Sequence, residues 1–385
     1  MSPNYVDVVA GTRPEIIKVA PVVRELAARG ASARLVLTGQ HRSLVDDLLD
    51  TLDLGSTPTV RLDVMRDRQR LSELSARLLS GLDQHVREER PAVVLVQGDT
   101  TSALCATLAA FHEHIPVGHI EAGLRSGCAT NPFPEEMNRR LISHAASWHF
   151  CPTDSAAANL LREGVDGGSL LVTGNTSIDA LRWVRERGLG HSSFDGGRTK
   201  VLVTLHRREN QGDIMHELAV ALAELAAELD LELVLPLHPS PAVRDVLVPA
   251  LGTRSGVHLV DALDYVDFVA TMADADLIVT DSGGVQEEAP ALDTPVLVVR
   301  ETTERPEAVE AGCARLVGVV ASDLVRHVRD LVANPRRRRA MVRGVNPFGD
   351  GYAAQRIVRR LLADRPDLAS ERVAEQADAL AVGVS

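Results

Sequence analysis

Three carboxylates fall where an apolar segment gives way to a loop or a helix. Asp99 follows Val93–Val96 within Gly98-Asp-Thr-Thr101, Glu121 follows Val117–Ile120 within Glu121-Ala-Gly-Leu-Arg125, and Glu135 follows Pro132-Phe-Pro134 at the start of a helical pattern. Side chains placed there stand at the carboxyl end of a parallel sheet, where acids can move protons to and from a ligand. Each has a plainer use when taken singly: Asp99 as a helix cap, Glu121 as a loop residue, Glu135 as an acid favoured at a helix amino terminus. Jointly, at successive strand ends, they form a candidate acid–base group. The second half adds His206, in Val203-Thr-Leu-His-Arg207-Arg-Glu-Asn210, and His238 after the next strand. A histidine at a strand end can shuttle a proton or donate to a phosphate near neutral pH. For His238 alone a structural hydrogen bond is the simpler reading.

The stretch Leu277-Ile-Val-Thr-Asp-Ser-Gly-Gly-Val-Gln-Glu-Glu-Ala289 reads as strand, tight turn and helix. The first N–H groups of such a helix lack partners, and its macrodipole places about half a positive charge there, so Ser282, Gly283 and Gly284 form a candidate anion seat. Glu287 or Glu288, one turn on, can accept hydrogen bonds from ribose hydroxyls. A diphosphate also needs cations, for which Arg13 and Lys18 near the start of the first helix and Arg305 after Glu301-Thr-Thr-Glu304 are the candidates. No G-x-G-x-x-G follows the first strand, which leaves a bound nicotinamide unsupported. No set of His, Cys and carboxylates has metal-ligand spacing, and His112 and His114 read as solvated residues at a helix end.

The elements that must position these groups alternate. Strand patterns at 5–10, 33–38, 92–97, 116–120 and 148–151 are interleaved with helical patterns, and their continuous apolar character predicts parallel strands buried on both faces. The theme repeats from Val201 onward, so the fold class is α/β, with two doubly wound parallel-sheet domains facing a cleft. At 385 residues the chain is long enough for two cores of roughly 180 residues each. The boundaries are 1–175 for the first domain, 176–352 for the second, and 353–385 for a terminal helix returning to the first domain plus a tail, with a helix pattern at 370–380. The connection is placed between Gly174 and the polar stretch 188–198. A net charge of −12 argues against nucleic-acid or acidic-membrane binding. Four isolated cysteines fit a reduced, cytoplasmic protein, and neither a targeting segment nor an apolar run long enough to span a membrane is legible.

At these residues the sequence closely resembles the non-hydrolysing UDP-N-acetylglucosamine 2-epimerases. Gly11-Thr-Arg-Pro-Glu-x-Ile-Lys18, Gly98-Asp-Thr-Thr101, Gly118-His-Ile-Glu-Ala-Gly-Leu-Arg125, Pro134-Glu-Glu-x-Asn-Arg139, His206-Arg-Arg-Glu209, Thr280 to Pro290 and Thr302-Thr-Glu-Arg-Pro-Glu-Ala308 all look like that family, in order from about residue 5 to about residue 362. The resemblance implies a glycosyltransferase-B type fold of two Rossmann-like domains, UDP-GlcNAc and UDP-ManNAc as substrate and product, no cofactor, and a homodimer. It implies that Asp99, Glu121, Glu135 and His206 are catalytic. Binding of UDP-sugar falls to Arg13, Lys18, Ser282, Gly283, Gly284 and Arg305, with Glu288 on the ribose and Phe268 near the base. It also implies an allosteric UDP-GlcNAc pocket with Gln40, Glu136, Arg207 and His238 as counterparts. Two departures stand out: Leu263 replaces a common Gln near the uracil, and Ser43 replaces a longer polar side chain. A transferase of the same fold, or an epimerase that hydrolyses its intermediate, would share much of this pattern.

Overall fold

The computed structural model describes residues 5–39, 42–64, 66, 69–303, 305–342 and 346–369. The chain divides into two units, 1–180 with 348–385, and 181–347. In the first, the order is β1 (Val6–Ala10), α1 (Arg13–Ala28), β2 (Ala33–Leu37), α2 (Arg42–Thr51), β3 (Thr59–Arg61), α3 (Leu71–Glu89), β4 (Val93–Gln97) and α4 (Thr101–His112). It continues with β5 (Val117–Ile120), α5 (Glu135–Ala145), β6 (Trp148–Cys151), α6 (Asp154–Arg162), β7 (Leu170–Val172) and α7 (Thr176–Glu186), within which the boundary to the second unit falls. The second unit holds β8 (Thr199–Thr204), α8 (Asp213–Glu228), β9 (Leu231–Pro236), α9 (Pro241–Leu251), β10 (Val257–Val260), α10 (Tyr265–Asp274) and β11 (Leu277–Thr280). It closes with α11 (Gly283–Glu288), β12 (Val296–Val298), α12 (Pro306–Glu310), β13 (Ala314–Leu316), α13 (Ala321–Ala333) and α14 (Pro335–Ala340), after which α15 (Ala353–Asp364) rejoins the first unit.

Both sheets are parallel throughout, in the orders β3-β2-β1-β4-β5-β6-β7 and β10-β9-β8-β11-β12-β13. The central strands are apolar on both faces, and β1, β4 and β11 are buried along their whole length. Each order reverses direction once, between β1 and β4 and between β8 and β11, which is where ligands of open α/β sheets bind. Strand-to-helix turns in the first unit repeat one device. Thr12, Thr100 and Thr153 each precede a helix, and their hydroxyls accept from Glu15 N, Ala103 N and Ala156 N.

Several elements depart from expectation. Residues 176–186, read as part of the interdomain connection, form α7, because Ile178, Leu181 and Val184 recur at helical spacing and are buried. The Asn175 side chain starts it by accepting from Ser177 N at 3.1 Å. The strands β3 and β7 and the helix α14 carry no apolar pattern of their own kind: β3 and β7 are edge strands without a fully buried residue, and α14 is a short run of arginines. In α15, Ile357, Val358 and Leu361 are buried, and α15 packs on α1. Its first N–H groups, from Ala353 and Ala354, donate to Asp179 at 3.1 and 2.7 Å. The helix pattern at 370–380 lies outside the described residues.

Candidate active site

In the first unit, the turn after β1 meets the turn after β4. Gly11 is packed so tightly that a Cβ there would sit 2.4 Å from Ser102 Oγ and 2.8 Å from Thr38 Oγ1, so no larger residue fits. Glu15 folds back under this turn. Its Oε2 accepts from Gly11 N at 3.1 Å, and its Oε1 accepts from the Thr100 hydroxyl at 2.7 Å. Burial pushes this carboxyl up to about 7, against the lowering effect of the bonds from Thr100, Thr12 and Gly11, with the nearby Asp99 charge adding to the rise.

Asp99 is held on that floor. Arg139 donates to its Oδ2 from Nε at 2.7 Å and Nη2 at 2.5 Å, and Asn138 Nδ2 donates to its carbonyl at 2.8 Å. The preceding Gly98 has φ +69°, and its carbonyl lies 2.7 Å from Nε2 of the fully buried His119. Burial drives the His119 pKa down to about 3, so the ring is neutral and donates from Nε2. Asp99 and the half-buried Glu135, the first residue of α5, line one cavity of about 200 Å3.

Glu121 does not line that cavity. It sits at the end of β5 with φ +66°, a left-handed backbone that costs a non-glycine residue energy and is concentrated at functional sites. Three donors converge on its Oε2: Lys18 Nζ at 2.5 Å, Gln97 Nε2 at 2.8 Å and Asn175 Nδ2 at 3.3 Å. Lys18, expected to serve a phosphate, is thus an ion-pair partner of one of the predicted acids. Arg13 is exposed in the first turn of α1.

The second unit is organised by Asp281, which is fully buried. It accepts from the backbone N–H of His206 at 3.1 Å and of Arg207 at 3.0 Å, and from Asn210 Nδ2 at 3.0 Å. Its Oδ1 lies 3.5 Å from His206 Nδ1. Burial lowers the His206 pKa; Asp281 opposes this, while His238 and Arg207 add to it. The rings of His206 and His238 stack with centroids 5.6 Å apart. Ser240 N donates to His238 Nδ1 at 3.1 Å, which places the proton of a neutral His238 on Nε2. His206, His238, Phe268 and Ser282 line a second cavity of about 200 Å3, and Leu263 is in its wall.

At the turn itself, Ser282 N donates to Thr280 Oγ1 at 2.9 Å. A Cβ on Gly283 would lie 2.8 Å from Arg305 Nη1, so the guanidinium crosses this backbone. A Cβ on Gly284 would meet nothing within 4 Å, which leaves that backbone open to a ligand. Glu287 is buried and accepts from Arg305 Nε at 2.6 Å, so of the two adjacent acids Glu288 is the half-buried one. Among the described residues no cluster of His, Cys, Asp and Glu is arranged to hold a metal ion, and no helix is long and apolar enough to cross a membrane.

The sequence profile of the UDP-N-acetylglucosamine 2-epimerases matches residues 24–362. The chain belongs to that family. It is 45% identical over 366 residues to the UDP-N-acetylglucosamine 2-epimerase of Yersinia pestis, covering 92% of this chain and 97% of the relative. With the enzyme of the same name from Escherichia coli K12 it shares 44% identity over 373 residues, 94% of this chain and 99% of the relative. The crystal structure of the Neisseria meningitidis UDP-GlcNAc 2-epimerase bound to UDP-GlcNAc is similar at 39% identity and a TM-score of 0.87, covering 93% of this chain and 100% of that one. The Rossmann-like sheet of each unit is that of the glycosyltransferase-B type found in these epimerases.

Of the residues expected to form an allosteric pocket, Glu136 lies in the first unit and Arg207 and His238 lie in the second. Glu136 is buried and accepts from Ser126 N, Arg139 and Arg140, while Arg207 Nε donates to the Asp281 carbonyl. Gln40 and the Ser43 side chain lie outside the described residues. Sequence reasoning missed Glu15 and His119, which hold neighbours of Asp99, and Asn175 and Asp281, which bond Glu121 and the His206–Arg207 backbone directly. Only Glu15 carried a local signal: Thr12 and Glu15 have the spacing of a reciprocal helix cap.

Proposed function

We propose that this chain interconverts UDP-N-acetylglucosamine and UDP-N-acetylmannosamine without hydrolysis. The observation that carries the reading is the grouping of acids in the first unit: Asp99 and Glu135 share one cavity, and Glu121 stands in a strained backbone at the next strand end. Inverting C2 requires a base to take its proton while the C1–O bond breaks and UDP leaves with the bonding electrons, giving 2-acetamidoglucal. UDP then re-adds at C1 as C2 takes a proton on the opposite face. Groups that accept and return protons on two faces match a set of three carboxylates. The leaving diphosphate requires cationic and N–H donors, supplied in the second unit by Arg305, the open backbone at Gly284 and His206. Glu288 and Phe268 take the ribose and the base.

A homodimer belongs to the same reading. Phe133, just before α5, and Met137 and Leu141 along it are exposed apolar side chains four residues apart, 69%, 41% and 46% accessible. They make one stripe for a second copy to cover. Sedimentation velocity showing a monomer at micromolar concentration would remove it.

Proton NMR of the protein with UDP-GlcNAc in D2O tests the reaction. UDP-ManNAc deuterated at C2 is the expected product. Free ManNAc with UDP would select hydrolysis of the intermediate, and unchanged, undeuterated substrate would point to transfer of the sugar to an acceptor.

A further inference from the structure

The cavity that holds Asp99 and Glu135 has an apolar side that proton transfer does not use. Leu71, Leu74, Leu78 and Leu82 lie along one stripe of α3, at spacings of three and four residues. Leu78 and Leu82 are buried in the core beneath α3 and α4. Leu74 packs against that core but also lines the cavity, and Leu71, 39% accessible, lines it alone. The stripe therefore runs out of the core and into a space whose other walls are the turns after β1 and β4, the first residues of α4, and the start of α5 with Glu135. Its volume of about 200 Å3 falls below the roughly 300–1,000 Å3 of a pocket that encloses a whole small molecule. It takes one portion of a ligand, and that portion has both a proton-bearing centre and an apolar end.

In the proposed reaction the atom losing its proton is C2, and C2 also bears the acylamino nitrogen. The terminal methyl of an N-acetyl group is three bonds from C2, so a wall that receives the methyl lies in the same cavity as an acid that acts on C2, as Leu71 and Leu74 do with Asp99 and Glu135. We infer that Leu71 and Leu74 form the N-acyl subsite, selecting UDP-hexosamines with a short acyl chain. The inference rests on the reaction proposed above. The wall cannot recede to admit a longer chain, because Leu78 directly behind it is fully buried in a close-packed core. One methylene too many in such a site changes kcat/KM by roughly 10–200-fold.

Deuterium exchange at C2 in D2O, measured with UDP-GlcNAc and with its N-butanoyl analogue, tests this. The wild type is expected to favour N-acetyl at least about tenfold in kcat/KM. Leu74→Ala, and separately the more exposed Leu71→Ala, should shrink that preference about tenfold, whereas Leu161→Ala, on the exposed surface of α6, should leave it as in the wild type. Equal handling of both acyl groups by the wild type, or an unmoved preference in both α3 variants, would overturn the assignment. Absence of exchange with either substrate would strike the proposed reaction itself, and the subsite with it.

Discussion

Glu15→Gln should remove the pH dependence of stability that Glu15 imposes. The carboxyl has an ordinary value of 4.5 and is raised to about 7 in the folded chain, chiefly by burial. Between those two pH values the folded protein retains a proton that the unfolded chain has released, so stability falls as pH rises. The contribution is fully present below 4.5 and lost above about 7. At about 1.4 kcal/mol per pH unit, the loss is on the order of 3 kcal/mol. Gln reproduces the protonated carboxyl: its oxygen can accept from Gly11 N and its NH2 can donate to Thr100 Oγ1, the two partners Glu15 now has. The variant should therefore match the wild type within about 1 kcal/mol at pH 5, the worth of a typical hydrogen bond. At pH 8 it should be the more stable by roughly 2–3 kcal/mol, since it buries no charge. Asp179, raised to about 6 by burial, acts with the same sign and leaves a residual slope in both proteins. Urea midpoints followed by Trp148, a buried residue of the same unit, read the difference at pH 5, 6, 7 and 8. An equal fall in the two proteins between pH 5 and pH 8 would show that Glu15 does not titrate there.

Glu121→Gln should abolish turnover while leaving UDP affinity within a few-fold by calorimetry, because Glu121 is assigned to the sugar and not to the diphosphate. A comparable loss of UDP binding would contradict that division. Arg305→Ala should weaken UDP binding by about 1.5–3 kcal/mol, the range for a charged hydrogen bond, and unchanged affinity would take Arg305 out of the site. Asp281→Asn should shift the His206-dependent limb of the pH–rate profile to lower pH, because the Asp281 charge opposes the lowering of the His206 pKa by burial. It should also raise KM, since one amide oxygen replaces two carboxylate oxygens that anchor the His206–Arg207 backbone. A profile superimposable on the wild type would separate Asp281 from His206.

The alternation of apolar strands and amphipathic helices made the parallel sheets legible, because strands buried on both faces leave a continuous hydrophobic run. The strand-end placement of Asp99, Glu121 and His206 was legible for the same reason. What the sequence hid were partners made by tertiary contact. Lys18 looked like a free cation in a first turn, and only the fold brings Glu121, 103 residues away, to its ammonium. Asp281 looked like the polar end of a strand, yet it carries the loop after β8 because β8 and β11 are neighbours in the sheet. Asn175 lies in a stretch that read as a linker, and its side chain both starts α7 and reaches Glu121. β3 and β7 escaped because they are short edge strands without a fully buried residue, so neither leaves the continuous apolar run of a central strand.

One helix ties the two halves of the acid group together. Glu15 and Lys18 are three residues apart on α1 and so project from the same side in adjacent turns. The first binds the turns after β1 and β4, beneath Asp99; the second binds Glu121 at the end of β5. A shift of α1 along its axis would therefore alter the surroundings of Asp99 and Glu121 at once, and in the same direction. The position of α1 is in turn braced by α15, which packs against it and whose amino terminus is held by Asp179. The return of the chain to the first unit after the second is complete thus does more than close the fold: it fixes the helix on which both acids depend.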